Sequence, residues 1–458
     1  MSGRRTIGAV DAVWLTMDRP DNLMVIDSVM WFDEPADWVR LADVVQRRLV
    51  DRYPVFSQRV IEPSSPLGTP HWEDDPDFSL ERHLRRAVLP SPGDDRSLQQ
   101  YVEAQMSRPL DRARPLWEVH LLDGFGAGSA VLTRFHHALA DGMALAEVLL
   151  SLTDEHASGD TTELPDITPG RKGGSGGGLS GLTAAISGAS RLVPQLPGTL
   201  SPGHLVDLLI LAGRTGMIAD KLLMSSNPET PLSGAIGPDK RAVWSSPRRL
   251  ADVKCIGRLA GATVNDVLVA SVSGALAAYL DEHGGERADL TTMVPVNLRR
   301  PGAPLPRELG NQFALVMLPL ATGAGTAVHR LSESKRRMDS IKGSPEAMLT
   351  FGIINALGRT NRDLARLVVD FFAAKAIGVT TNVAGPRTAR YLAGTKIAGV
   401  LGWVPGSGQQ TVGVCIFSYD GTVRVGFKVD AAVVSDPQSL VHAFEAELDT
   451  LLRIARAA

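Results

Sequence analysis

The chain has 458 residues, 44% of them hydrophobic and 21% charged, with a formal net charge of −3. That is the balance of a globular protein with material for two substantial cores, and it lacks the cationic excess that nucleic-acid binding calls for. Two cysteines, Cys255 and Cys415, are too few for a disulfide framework and predict a reducing compartment.

The opening, MSGRRTIGAVDAVWLTMD, has no apolar run of leader length before its acidic residues. No uninterrupted apolar stretch reaches bilayer-spanning length. A cytoplasmic protein is expected, with any membrane contact made from the surface. DAVWLTMDRPDNLMVIDSVMWF then sets Asp11 and Trp14 ahead of a strand over 24–32. Leu41, Val44, Val45, Arg48 and Leu49 mark one amphipathic helix, closed by Tyr53-Pro54. HWEDDPDFSLERHLRRAVLP mixes Trp72, Phe78 and His83 with acids, and carries no chemistry by its pattern. In PLDRARPLWE, two prolines bracket a basic link, so a rigid loop is expected to lead into a strand over 117–122.

The centre of the first half is TRFHHALADGMALAEVLL. Residues 130–135 are β-branched and aromatic and read as a strand; Met143, Leu145, Val148, Leu149 and Leu152 recur at helical spacing from about Gly142. His136 and His137 therefore stand at a strand end. Consecutive strand residues face opposite sides, so the two rings cannot serve one centre. A neutral histidine can take a proton from an attacking alcohol. Asp141 has two tasks open to it: capping the following helix, or pairing with a distant cation. Gly142 suits a tight turn or a close backbone approach. Read singly, these residues fit a packed histidine and a simple cap as well as they fit catalysis. A metal site lacks further ligands at a familiar spacing, so no metal is expected.

From 158 to about 203 the chain is rich in Gly, Ser and Pro, as a flexible connection would be. Its glycines lack the Lys-Ser/Thr of a phosphate loop. LVDLLILAGRTGMIADKLLM, over 205–224, predicts a helix with Asp207, Arg214 and Lys221 on one polar seam. Burial between two halves is the expected fate of such a helix, with a lipid surface as the alternative. The division expected is therefore 1–157, a linker over 158–241, and 242–458. In the second half, GATVNDVLVASVSGALAAYLDEHGG predicts a helix that starts at Asn265-Asp266, a pairing that normally means a cap. VPVNLRRPG predicts a strand ending near Asn297 and Arg299. CIFSYDGTVRVGFKVD predicts a hairpin turning at Asp420-Gly421. Lys335-Arg336-Arg337 would suit an anionic cosubstrate or an ordinary solvated helix face.

HHALADG matches the HHxxxDG signature of the CoA-dependent acyltransferase superfamily. Within it, the DAVWL opening, the PLDRARPLWE block, Asn265-Asp266, GNQF at 310–313 and TTNVAGP at 380–386 occur in order. Together they resemble the bacterial wax ester synthase/diacylglycerol acyltransferases from Asp11 to about Leu451, outside most of the linker. Two departures stand in the last block, where that family usually has proline at Ala384 and serine at Thr381. The DFGWG motif of the plant branch is absent.

The resemblance implies an α/β fold: two chloramphenicol-acetyltransferase-like halves, each a mixed sheet with helices, around a central reaction tunnel. It implies His137 as general base and His136 in support. Asp141 would hold the loop by pairing with Arg299, while Asn265, beside Asp266, is a candidate for supporting the oxyanion. The expected reaction moves an acyl group from acyl-CoA, a cosubstrate rather than a resident cofactor, to diacylglycerol or a long-chain alcohol. Peripheral contact with a membrane or lipid inclusion would be compatible with it. Two other readings stay open: an HHxxxDG enzyme fed by a carrier-protein thioester, and a catalytically weak lipid-inclusion scaffold.

Overall fold

The computed structural model describes residues 4–64, 68–159, 227–299, 304–342, 344, 346–357 and 362–458. Most of the linker, with the apolar segment over 205–224, lies outside them.

Two sheets carry the architecture. The first has six strands, in the order Tyr391–Leu392, Thr395–Trp403, Val25–Phe32, Gly128–His136, Trp117–Phe125, Leu84–Val88. Its two central strands, Val25–Phe32 and Gly128–His136, are buried along their whole lengths, the polar Asp27, Ser28, Thr133 and Arg134 included. They pair antiparallel, Val25 opposite His136 and Phe32 opposite Ser129. The second sheet has Thr380–Ala384, Val412–Tyr419, Thr422–Asp430 and Lys240–Trp244 in sequence across it, with Arg248–Arg249 joined to the third. A separate ribbon, Thr291–Asn297 with Phe313–Pro319, lies beside that sheet's edge, where the Met293 N–H donates to the Gly378 carbonyl at 2.8 Å.

The expected hairpin is present. Asp420 and Gly421 both have positive φ, 43° and 73°, the backbone that a two-residue turn between twisted strands requires.

Thr395–Trp403 belongs to the second half of the chain but is a strand of the first half's sheet. It lies antiparallel to Val25–Phe32, with Leu401 opposite Val29 and Trp403 opposite Asp27. Trp403 tilts against Trp244 at 5.9 Å between ring centroids, and Trp244 stacks toward Trp31 at 6.1 Å. Three indoles thus link the two sheets. Each half otherwise has its own apolar core, one around Val29, Leu121 and Leu132, the other around Leu276, Ile416 and Phe444. Each fully buried Leu or Val there contributes about 1.5–3 kcal/mol.

One expectation is corrected. The helix of the second half is Val264–Glu282, and its N-cap is Thr263, two residues before the Asn-Asp pair. The Asp266 N–H donates to Thr263 Oγ1 at 3.2 Å, and the Thr263 N–H donates to Asp266 at 2.8 Å. This reciprocal box satisfies two helix-end donors, so Asp266 is the third helical residue rather than the cap. The same helix is, by length and composition, apolar enough to cross a bilayer. Of its 18-residue apolar stretch, 83% is nonetheless buried within the protein, as in a core helix.

Candidate active site

The site begins where the strand Gly128–His136 ends. The His136 N–H still donates to the neighbouring segment, at the Leu116 carbonyl, at 3.0 Å. The His137 N–H then donates to the Met24 carbonyl at 2.7 Å, and the chain turns, Leu139 N–H meeting the His136 carbonyl at 3.0 Å. Asp141 closes the turn as N-cap of the helix Gly142–Ser151, its Oδ1 accepting from the Ala144 N–H at 2.9 Å. Gly142 is the first helical residue and lacks positive φ. A methyl group there would meet Val404 at 3.3 Å, so close approach rather than backbone freedom is what glycine supplies.

The two rings part as strand geometry requires. His137 stacks on Trp14, with centroids 4.1 Å apart and planes 25° from parallel, and it tilts against Phe313 at 5.6 Å. Trp14 comes from the helix Ala9–Met17 and Phe313 opens the strand Phe313–Pro319, so aromatic faces from both halves hold the imidazole. His136 turns the other way, its Nδ1 accepting from the Ala138 N–H at 3.0 Å and its Nε2 facing Asp18 across 3.6 Å.

Burial sets the charge of both rings. It pushes the His137 pKa down to about 4, against the opposing pull of the Asp141 carboxylate. Burial lowers that of His136 too, with Asp18 opposing. At neutral pH the His137 ring is uncharged, which is the form that accepts a proton.

Asp141 performs both tasks that its position allowed. Besides capping the helix, it accepts a hydrogen bond from Arg299 Nη2 and another, at 2.9 Å, from the Gln312 N–H. Arg299 is itself placed by Asn297, whose Oδ1 accepts from the Arg299 N–H at 2.9 Å. The segment Gly310 to Phe313 gathers the site. Asn311 donates through its N–H and its Nδ2 to Asp11 Oδ1, each at 2.8 Å, and through Nδ2 to the His137 carbonyl at 2.8 Å. Burial raises the Asp11 carboxyl to about 6, against those hydrogen bonds from Asn311. Beside it, a cleft of about 360 Å³ is lined by Arg5, Asp11, Arg299, Asn311, Gln312 and Asn355, among others.

Asn265 is buried, and its Oδ1 accepts from Asn382 Nδ2 at 2.6 Å. That joins the Asn-Asp pair to the TTNVAGP strand; no described contact joins it to His137. Lys335, Arg336 and Arg337 are each paired with acids, Asp339, Glu333 and Asp289 among them, as on a solvated helix face.

Trp14, Asp11, Asn311 and Phe313 carried no role by pattern, although DAVWL and GNQF were both visible as blocks. Their partners lie up to 300 residues away, and only folding brings them together.

A model of the wax ester synthase/diacylglycerol acyltransferase catalytic domain matches residues 7–268, more than half of the chain. The chain belongs to this family. A model of the family's C-terminal domain matches residues 309–452. A Mycobacterium tuberculosis protein named as a probable diacylglycerol O-acyltransferase, tgs1, is 28% identical over 409 residues, covering 88% of this chain and 85% of that protein. Among solved structures, a wax ester synthase/diacylglycerol acyltransferase from Marinobacter aquaeolei VT8 shares the fold at a TM-score of 0.71, with 22% identity over 98% of this chain and 99% of that one. The first condensation domain of the calcium-dependent antibiotic synthetase follows at 0.58, with 19% identity over 99% and 97% of the two chains. The two-lobed α/β fold and the family's acyltransferase activity are thus those of this chain.

Proposed function

We propose that this family member transfers the acyl group of a long-chain acyl-CoA to the hydroxyl of diacylglycerol or a long-chain alcohol, with His137 as general base. One observation carries the reading: a neutral, buried imidazole at the HHALADG strand end, held between Trp14 and Phe313. The names of relatives point to the diacylglycerol branch of the acceptors.

The chemistry balances without a covalent enzyme intermediate. His137 removes the hydroxyl proton as the oxygen bonds to the thioester carbon, giving a tetrahedral oxyanion. The oxyanion collapses, the carbon–sulfur bond breaks, and the thiolate takes the proton back from the imidazolium. The products are an ester and free CoA. A positioned base contributes on the order of 10²–10⁴ in rate, and alignment of the two substrates supplies much of the rest.

The test is a transfer assay with radiolabelled palmitoyl-CoA, offering diacylglycerol and hexadecanol in parallel. Labelled triacylglycerol or wax ester, formed about 10²–10⁴-fold more slowly by a His137→Ala preparation, is the expected result. Transfer only from a carrier-protein thioester would replace the donor in this reading. Lipid binding with no transfer would favour a scaffold.

A further inference from the structure

His136 has no task in the reaction just proposed, yet it is 1% exposed and both of its ring nitrogens face specific groups. The Ala138 N–H donates to Nδ1, and an N–H can meet only a lone pair. The hydrogen of the neutral ring must therefore sit on Nε2. Nε2 faces Asp18 Oδ2 across 3.6 Å, where the carboxylate attracts the Nε2–H.

Asp18 is unusually well connected for a carboxylate at the end of a nine-residue helix. It is the C-terminal cap of Ala9–Met17, the helix that carries Trp14. Its Oδ1 accepts from the Met24 N–H at 2.9 Å, and the Met24 carbonyl is the group that holds the His137 N–H. Its Oδ2 accepts from Arg112 Nη2 at 3.1 Å; the same nitrogen donates to the Leu15 carbonyl at 2.8 Å. Arg112 belongs to the PLDR loop, which the proposed chemistry does not otherwise use. One carboxylate thus ties together the Trp14 helix, the backbone partner of His137, the PLDR loop and the His136 ring.

We propose that Asp18, held by Arg112, is a positioning residue for acyl transfer: it selects the Nε2–H form of His136, whose Nδ1 anchors the turn that aims His137. The proposal rests on His137 being the base. In the other tautomer an N–H would point at the Ala138 N–H, and the turn would lose its anchor next to the reacting ring. A misplacement of about 1 Å at such a point costs on the order of 100-fold in rate.

Asp18→Asn is the decisive variant. The amide oxygen can still accept from Met24 N–H, but the amide nitrogen then faces Nε2–H as a second donor. His136 must change tautomer or lose contact.

The experiment combines ¹⁵N-histidine NMR of the full-length protein, with the His136 signal assigned through His136→Gln, and steady-state kinetics. Wild type should show the Nε2–H form, and Asp18→Asn should lose it. Asp18→Asn should lower kcat about 10- to 100-fold while leaving KM for the acyl donor unchanged. Adding His136→Gln to Asp18→Asn should slow the enzyme no further than His136→Gln does alone. A wild-type ring carrying Nδ1–H, an unchanged kcat in Asp18→Asn, or multiplying losses in the double variant would each overturn the proposal. If Asp18→Asn does not fold, Arg112→Gln, which removes the cation holding Asp18, takes its place, and an unchanged kcat there would overturn the proposal. Turnover surviving in His137→Ala would instead sink the base assignment and leave the tautomer result to stand by itself.

Discussion

Arg299 donates a hydrogen bond to Asp141 across 158 residues of sequence, fastening the turn after His137 to the second half of the chain. The side chains are 12% and 3% exposed, so neither charge has water to fall back on. The carboxylate's remaining contacts, to Ala144 and Gln312, make it a junction of three segments.

Removing one partner of a buried pair leaves an uncompensated charge and costs about 3–5 kcal/mol. Asp141→Asn and Arg299→Gln should each lower Tm and activity together. The double variant should lose much less than the sum of the two. Coupling near zero in a thermal double-mutant cycle would reduce Asp141 to a helix cap, worth about 0.5–2 kcal/mol.

His137→Ala should cut kcat by about 10²–10⁴-fold with the fold intact, because it removes the proton acceptor. His136→Ala should be milder, since that ring lies on the opposite side and acts through the turn. Near-wild-type turnover in His137→Ala would refute the assignment.

Acid should erode stability before it silences the base. Burial takes His137 from the usual value near 6.5 to about 4, and lowers His83, His120 and His136 as well. Between those values the unfolded chain binds protons that the folded chain refuses, so stability falls as pH falls through the window. Asp11, raised to about 6, works in the opposite sense, favouring the fold at low pH and losing that contribution as pH rises through 6. Glu103 and Glu147, raised by burial too, act with it against the four histidines. Tm should therefore drop from pH 7 to pH 5, while kcat/KM of the folded enzyme stays level through pH 6.5. An acid limb of kcat/KM centred at 6.5 would mean that His137 is not desolvated.

Gly399→Ala tests the strand that joins the halves. A methyl group at Gly399 would come within 2.2 Å of the Trp31 ring, on the neighbouring strand. Overpacking of this kind costs about 1–3 kcal/mol. Because both halves share that sheet, calorimetry should show the loss in one common transition. An unchanged Tm would mean that the Trp31 ring moves aside freely.

Local patterns were enough for much of this molecule. The strand before the histidines, the helix beginning at Gly142, the Asp420-Gly421 turn and the opposite facing of His136 and His137 all follow from backbone periodicity and turn chemistry. Those operate over a few residues and leave their mark in the sequence. The helix start at Thr263 is a near miss of the same kind: a reciprocal cap and a simple one use similar residues in a slightly different frame. Apart from the Asp141–Arg299 pair, which the family resemblance implied, what depends on distant partners was decided by the tertiary structure alone. Trp14 and Phe313 meet at His137, Asn311 bridges Asp11 and the His137 carbonyl, and Thr395–Trp403 crosses into the other half's sheet. Stacking, carboxylate clamps and strand pairing act through space, so no periodicity along the chain records them. The pKa of His137 belongs to the same class, because burial exists only once both halves have closed around the ring.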